Sequence, residues 1–197
     1  MKDVDVLMFF NFRSPYCYLL SRTLFDRLAE YDISLQWYAL AGWDGRSAPE
    51  RAKVKVPLTR QDVQRWCRRM DIPFMPPPIS TDPTPAAIVS LLAQQNDLLA
   101  PYVKNVMWAE WAEGRDIGET EVLLEIGEVS GLKTTEIDAA LNDNSRRETL
   151  DQNWQHAQSL GVIGVPSFVI GEEVFWGNDR FDFVLEHLDE LGSRLAK

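Results

Sequence analysis

The stretch NFRSPYCYLL, residues 11–20, decides how the chain is read. Before it, DVLMFFN (residues 5–11) is a short apolar run bounded by polar residues, the pattern of a buried central strand. Pro15 then suits the first turn of a helix, where its missing N–H is not needed. Leu20, Leu24 and Leu28 recur at helical spacing up to about Glu30. The stretch is therefore a strand-to-helix junction. Its centre, Ser14-Pro15-Tyr16-Cys17, has the frame of a C-x-x-C redox motif with a serine in place of the first cysteine. A chain that keeps this frame without the attacking thiol raises the question of where a reactive thiol would come from.

Working outward, ISLQWYAL (33–40) mixes β-branched, aromatic and polar residues and reads as a second, parallel strand, completing a β-α-β unit. From about Gly42 to Leu160 the character changes. AGWDGRSAPERAKVKVP (41–57) reads as a loop, TRQDVQRWCRRM (59–70) as a helix, and IPFMPPPISTDPTP (72–85) as irregular chain. Helical patterns follow near 86–99, 101–113, 119–129 and 134–141. Ser145 and Glu148 have the spacing of a capping box that opens a helix running to about Ser159. Strands return in SFVIGEEVFWG (167–177), where a Gly-Glu turn joins two apolar runs into a hairpin. A last helix carries Phe181, Val184, Leu185, Leu188, Leu191 and Leu195 on one stripe. The order β-α-β, helices, β-β-α predicts an α/β protein: a thioredoxin-like fold with a large all-helical insertion. The expected division is 1–44 with 145–197 for the thioredoxin-like part and 45–144 for the inserted helices.

A length of 197 residues is enough for one such unit with a real core. The formal net charge of -10 argues against nucleic acid or an anionic membrane surface as partner, since both call for clustered positive charge. Two cysteines, Cys17 and Cys67, and two distant histidines, His156 and His187, give no metal-ligand spacing. The N-terminus carries charges immediately before a short apolar run, unlike a secretory signal, and no run approaches the ~18 apolar residues of a membrane span. A cytoplasmic, reducing setting is expected.

Four separated segments carry a resemblance: SPYCYLL (14–20), AEWAEGRDI (109–117), GVIGVPSFVI (161–170) and FWGNDRFDFV (175–184). Together they resemble the 2-hydroxychromene-2-carboxylate isomerases, glutathione-dependent enzymes related to kappa-class glutathione transferases and, more distantly, to DsbA oxidoreductases. The resemblance covers nearly the whole chain and is weakest over residues 42–60. It implies glutathione as cofactor, an aromatic small-molecule substrate with an α,β-unsaturated ketone, and a homodimer.

It also implies roles for particular residues. Ser14 would donate a hydrogen bond to the glutathione sulfur; on its own a serine before proline is equally an N-cap. Val165-Pro166 would be the cis-proline turn opposite the active-site helix, with the Val165 backbone pairing to the cysteinyl unit of glutathione. Asn178 and Asp179 would take the γ-glutamyl end, the backbone N–H groups on its carboxylate and the Asp179 side chain on its ammonium. Arg180 would pair with Asp182 or a neighbouring helix. A lysine about seven residues before Asp62 would reach the glycine carboxylate, which selects Lys55 over Lys53; a solvated surface lysine is the other reading. Tyr16, Trp43 and Trp176 are candidates for the wall of the second-substrate pocket. Cys17 reads either as a small buried hydrophobe or as the second cysteine of a degenerate redox motif. Three alternatives to the isomerase follow: a transferase that leaves glutathione on its product, a thiol oxidoreductase using Cys17, and a non-catalytic glutathione- or peptide-binding protein.

Overall fold

A computed structural model describes residues 4–42, 44 and 49–196. Strand β1 (Val4–Phe10) lies at the centre of a four-stranded sheet of order β2-β1-β3-β4, parallel to β2 (Ile33–Ala39) and antiparallel to β3 (Ser167–Ile170). Strand β4 (Glu173–Trp176) pairs antiparallel with β3 across the Gly171-Glu172 turn. With Met8 opposite both Trp37 and Phe168, alternate residues of three strands point to one face. On that face Trp37 donates from Nε1 to Ser90 Oγ at 3.1 Å, and Phe168 stacks on Phe181 with ring centres 5.4 Å apart. On the other, Phe9 and Tyr38 stack at 4.9 Å and meet His156. The sheet is covered on both sides, which is why β1 reads as an apolar run rather than an alternation. This is the thioredoxin-like sheet, and a large helical insertion stands between β2 and β3.

The helix after β1 is interrupted. It forms α1 (Pro15–Ser21) and a short α2 (Leu24–Leu28), separated at Arg22-Thr23, instead of one helix to Glu30. Ser21 explains part of this: its hydroxyl bonds back to Tyr18 C=O at 2.7 Å, a local bond that competes with the helix ladder.

A second correction concerns residues 49–57, expected as loop. They are the first half of a 22-residue helix, α3 (Pro49–Met70), which continues through Pro57. Val54, Val56 and Leu58 are exposed, so this half packs no apolar stripe and leaves no period to read. The following helices are α4 (Thr84–Gln95), α5 (Leu99–Trp111), α6 (Thr120–Val129), α7 (Thr134–Leu141) and α8 (Asn144–Ser159). A third correction is the cap of α8. Asp143, not Ser145, is its N-cap, and its carboxylate accepts from both the N–H and the hydroxyl of Ser145. A single 3-10 turn, Asn178–Arg180, leads into α9 (Phe181–Glu190). Among the described residues no helix is long and apolar enough to cross a membrane.

Candidate active site

The site is built where α1 begins. Asn11, fully buried, follows β1 and organises the turn: its Oδ1 accepts from Arg13 N–H at 2.9 Å and its carbonyl from Ser14 N–H at 3.0 Å. Its amide donates to the carbonyls of Gly42 and Asp44, tying this turn to the chain after β2. Ser14 is then the N-cap of α1. Its hydroxyl accepts from Cys17 N–H at 3.3 Å and donates to Val165 C=O at 3.4 Å. One hydroxyl therefore spans the two walls of the site, the helix start and the loop before β3. Ser14 is half-buried, open enough to meet a ligand.

The Val165-Pro166 peptide is cis, as expected from its place in the fold. The Pro166 carbonyl accepts from Gly177 N–H at 2.9 Å, which fastens the loop to residues 177–180. Gly177, at φ 110°, occupies a region that favours glycine, and a Cβ there would lie 2.5 Å from the Asp179 carboxylate. At Gly164 the indole packs directly on the backbone: a Cβ would come within 2.7 Å of Trp176 Nε1. Trp176, about half exposed, thus lies against the loop that carries Val165.

Tyr16 brings the third wall. Its hydroxyl donates to Asp62 Oδ2 of α3 at 3.0 Å, and burial together with Asp62 pushes its pKa up to about 12. It also feels the negative charge of Asp179. Tyr16 is therefore a tether between α1 and α3, occupied by Asp62, as well as a pocket candidate. Lys55 lies seven residues before Asp62, two helical turns, so it shares the face of α3 that meets Tyr16 and stands about 10 Å away along the axis. It is exposed; partial desolvation and Arg51 lower its pKa. Trp43 lies outside the described residues.

Asn178 and Asp179 sit in the 3-10 turn beside α1, but Asp179 is already engaged: its carboxylate holds Arg180 at 2.9 Å. Asp179 thus replaces the partners expected for Arg180, Asp182 or a neighbouring helix; Asp182 pairs with Arg27. The cause is geometry, since Arg180 is adjacent to Asp179 in the turn while Asp182 has already entered α9 and faces α2.

Cys17 is fully buried, and burial pushes its thiol up to about 12 despite helpful contacts from Asn11 and Ser14. A thiol held protonated in this way is a poor nucleophile at neutral pH. Cys67, buried on α3, is raised to about 11. Both cysteines are free.

Sequence reasoning missed two groups at the site. Asn11 organises the turn from a position that looks like a strand end. Glu110 is fully buried on α5, 3.5 Å from the Arg13 guanidinium. A signal for Glu110 existed: it falls on the stripe of Val103, Val106 and Met107, where a core residue belongs.

A four-stranded sheet of this topology, a capped helix at the first strand-helix junction and a cis-proline loop facing it define a thioredoxin-like protein whose leading thiol position is a hydroxyl. Residues 5–189 match the model of the DSBA-like thioredoxin domain, and the chain belongs to that family. Among curated proteins it is similar to the 2-hydroxychromene-2-carboxylate isomerase of Pseudomonas putida, 29% identical with 90% of each chain covered. Among solved structures it is similar to a 2-hydroxychromene-2-carboxylate isomerase (TM-score 0.81, 26% identity, 95% of each chain). A cytosolic disulfide reductase, DsbM of Pseudomonas aeruginosa, solved with GSH, shares the fold (TM-score 0.70, 19% identity, 94% of this chain and 100% of that one).

Proposed function

We propose that the protein is a glutathione-dependent isomerase of the 2-hydroxychromene-2-carboxylate / trans-o-hydroxybenzylidenepyruvate type. The observation that carries this reading is the position of Ser14 Oγ. It caps α1 where a redox enzyme would have its attacking thiol, and it reaches the cis-proline loop, while the only nearby cysteine is buried and protonated. That donor set suits a ligand thiol. A free thiol of pKa about 8.5 is mostly protonated at neutral pH, and a hydroxyl donor favours its ionised form. The similarity to named isomerases over 90% of the chain supports the reaction type.

Glutathione, when bound, would supply a thiolate able to add reversibly to a conjugated enone carbon. The residues of this chain bind, orient and polarise. Ser14 turns its hydroxyl proton from Val165 C=O toward the sulfur. The Val165 backbone, held beside Pro166, pairs with the cysteinyl unit as a short added strand. Asn178 offers a backbone N–H and Asp179 its carboxylate to the γ-glutamyl end, with Arg180 moving aside or sharing. Lys55 meets the glycine carboxylate from the Tyr16-facing side of α3. Trp176 and Tyr16 offer aromatic surface for the substrate ring.

The test is an assay with a hydroxybenzylidenepyruvate-type enone and a limiting amount of reduced glutathione. Isomerised product should accumulate far beyond the glutathione supplied while titratable thiol stays constant. Loss of one thiol per product would replace this reading with a transferase, and reduction of insulin disulfides would replace it with an oxidoreductase.

A further inference from the structure

Arg13 immediately precedes Ser14, and its side chain is one-tenth exposed. Its guanidinium meets the fully buried Glu110 of α5 at 3.5 Å, donates to Pro78 C=O at 2.8 Å and lies 5.5 Å from the Trp111 ring centre. The neighbouring Trp111 donates from Nε1 to Phe12 C=O at 3.0 Å. The main chain of the same turn is fixed by Asn11. Side-chain and backbone contacts of Arg13 thus tie the turn that presents Ser14 to α5 and to the irregular chain over residues 72–83. An apolar pair of equal volume generally holds two elements together at least as well as a buried ion pair. Charge beside the reactive hydroxyl therefore asks for a role that an apolar pair lacks.

The field provides one. Glu110 acts one turn into α1, where its charge adds to burial in disfavouring the Cys17 thiolate. Arg13 carries the opposing charge from the residue next to Ser14. Asp116 and, with opposite sign, Arg60 of α3 also act on Arg13, while Asp62 and Asp179 face Tyr16. The surroundings are thus rich in carboxylates, and an anion at Ser14 is exposed to them unless a cation stands close. We propose that Arg13 and Glu110 are a positioning pair for Ser14, fixing the turn that aims its hydroxyl and holding the Glu110 charge in check against an anion bound there.

The inference rests on Ser14 being the residue that meets a thiolate, so its test uses no glutathione and fails or succeeds apart from the enone assay. In a Ser14→Cys variant that also carries Cys17→Ala, the introduced thiol occupies the Ser14 position and the adjacent Cys17 is removed as a disulfide partner. Cys67, raised to about 11, titrates apart from it. Thiolate absorbance is followed against pH. Glu110→Gln in this background should raise the thiolate fraction about three- to tenfold at a fixed pH below the midpoint, because Arg13 is left uncompensated. Arg13→Met should lower it by a similar factor. The double variant Arg13→Met/Glu110→Gln leaves neither charge buried alone and should return close to the starting curve; if Arg13→Met does not fold, the double variant against Glu110→Gln decides. No rise with Glu110→Gln, or single variants that move the curve in the same direction, would overturn the proposal and leave the pair a packing feature only.

Discussion

Residues 11–17 with 164–180 and residues 49–62 approach one another at the Tyr16–Asp62 hydrogen bond, yet they are built in opposite ways. In the first region nearly every step is tied down. Asn11 holds the turn, Ser14 links α1 to Val165, and Pro166 holds Gly177. Asn11, Cys17 and Pro166 are buried. In the second, Val54, Val56 and Leu58 are 71%, 44% and 62% exposed, and packing begins only at Val63 and Cys67. The difference teaches where constancy resides. The tied-down wall suits anchors that must hold one geometry, as Ser14 and Val165 do. The exposed half of α3, which coincides with the stretch of weakest resemblance and carries Lys55, leaves its side chains in solvent, where an anchor contributes less. Buried contacts lose little entropy on binding, whereas an exposed helix half must be ordered against its ligand.

Predictions that break or sharpen this comparison run from the buried wall outward. The largest effect is on stability at high pH. The folded chain keeps the Cys17 proton that the unfolded chain surrenders near 9.0, so unfolding releases protons as pH rises from about 9 toward about 12, and stability falls across that window. At full extent the difference is worth about 4 kcal/mol. Urea melts at pH 8 and pH 10.5 should show the loss, and Cys17→Ala should reduce it, leaving the share that Cys67 contributes in the same direction. Next, Ser14→Ala should cut glutathione-dependent turnover about 100-fold, comparable to removing one donor from an oxyanion site, with a much smaller change in glutathione affinity. Steady-state kinetics separate the two. Asp179→Ala should weaken glutathione by about 1 kcal/mol by calorimetry, because the carboxylate is half exposed and already shared with Arg180. Lys55→Ala, on the exposed wall, should cost less than about 1 kcal/mol. A Lys55 effect larger than that of Asp179 would reverse the comparison.

The frame of the fold was legible because it rests on local signals. The apolar run of β1, the glycine of the β3–β4 turn and Pro15 at a helix start each carry their meaning within a few residues. Where tertiary context or competing local bonds decide, the sequence misleads. Pro57 looks like a terminator, yet α3 runs through it. Leu20, Leu24 and Leu28 keep helical spacing across a break at Arg22-Thr23. Ser145 and Glu148 have capping-box spacing, but Asp143 takes the cap. At the site, Ser14 and the cis-proline loop come from motifs that survive at a distance. The Arg13–Glu110 pair does not: its members stand 97 residues apart, and only the odd charge on the stripe of α5 hints at it.

The account turns on the state of a thiol at Ser14, which ultraviolet thiolate absorbance reads directly. Reduced glutathione added at pH 7 should gain absorbance on binding, corresponding to a bound thiol well below its free value of about 8.5. Ser14→Ala, saturated with the same ligand, should lose most of that gain. No gain in the unaltered protein, or an equal gain in Ser14→Ala, would contradict the claim that the Ser14 hydroxyl holds the thiolate.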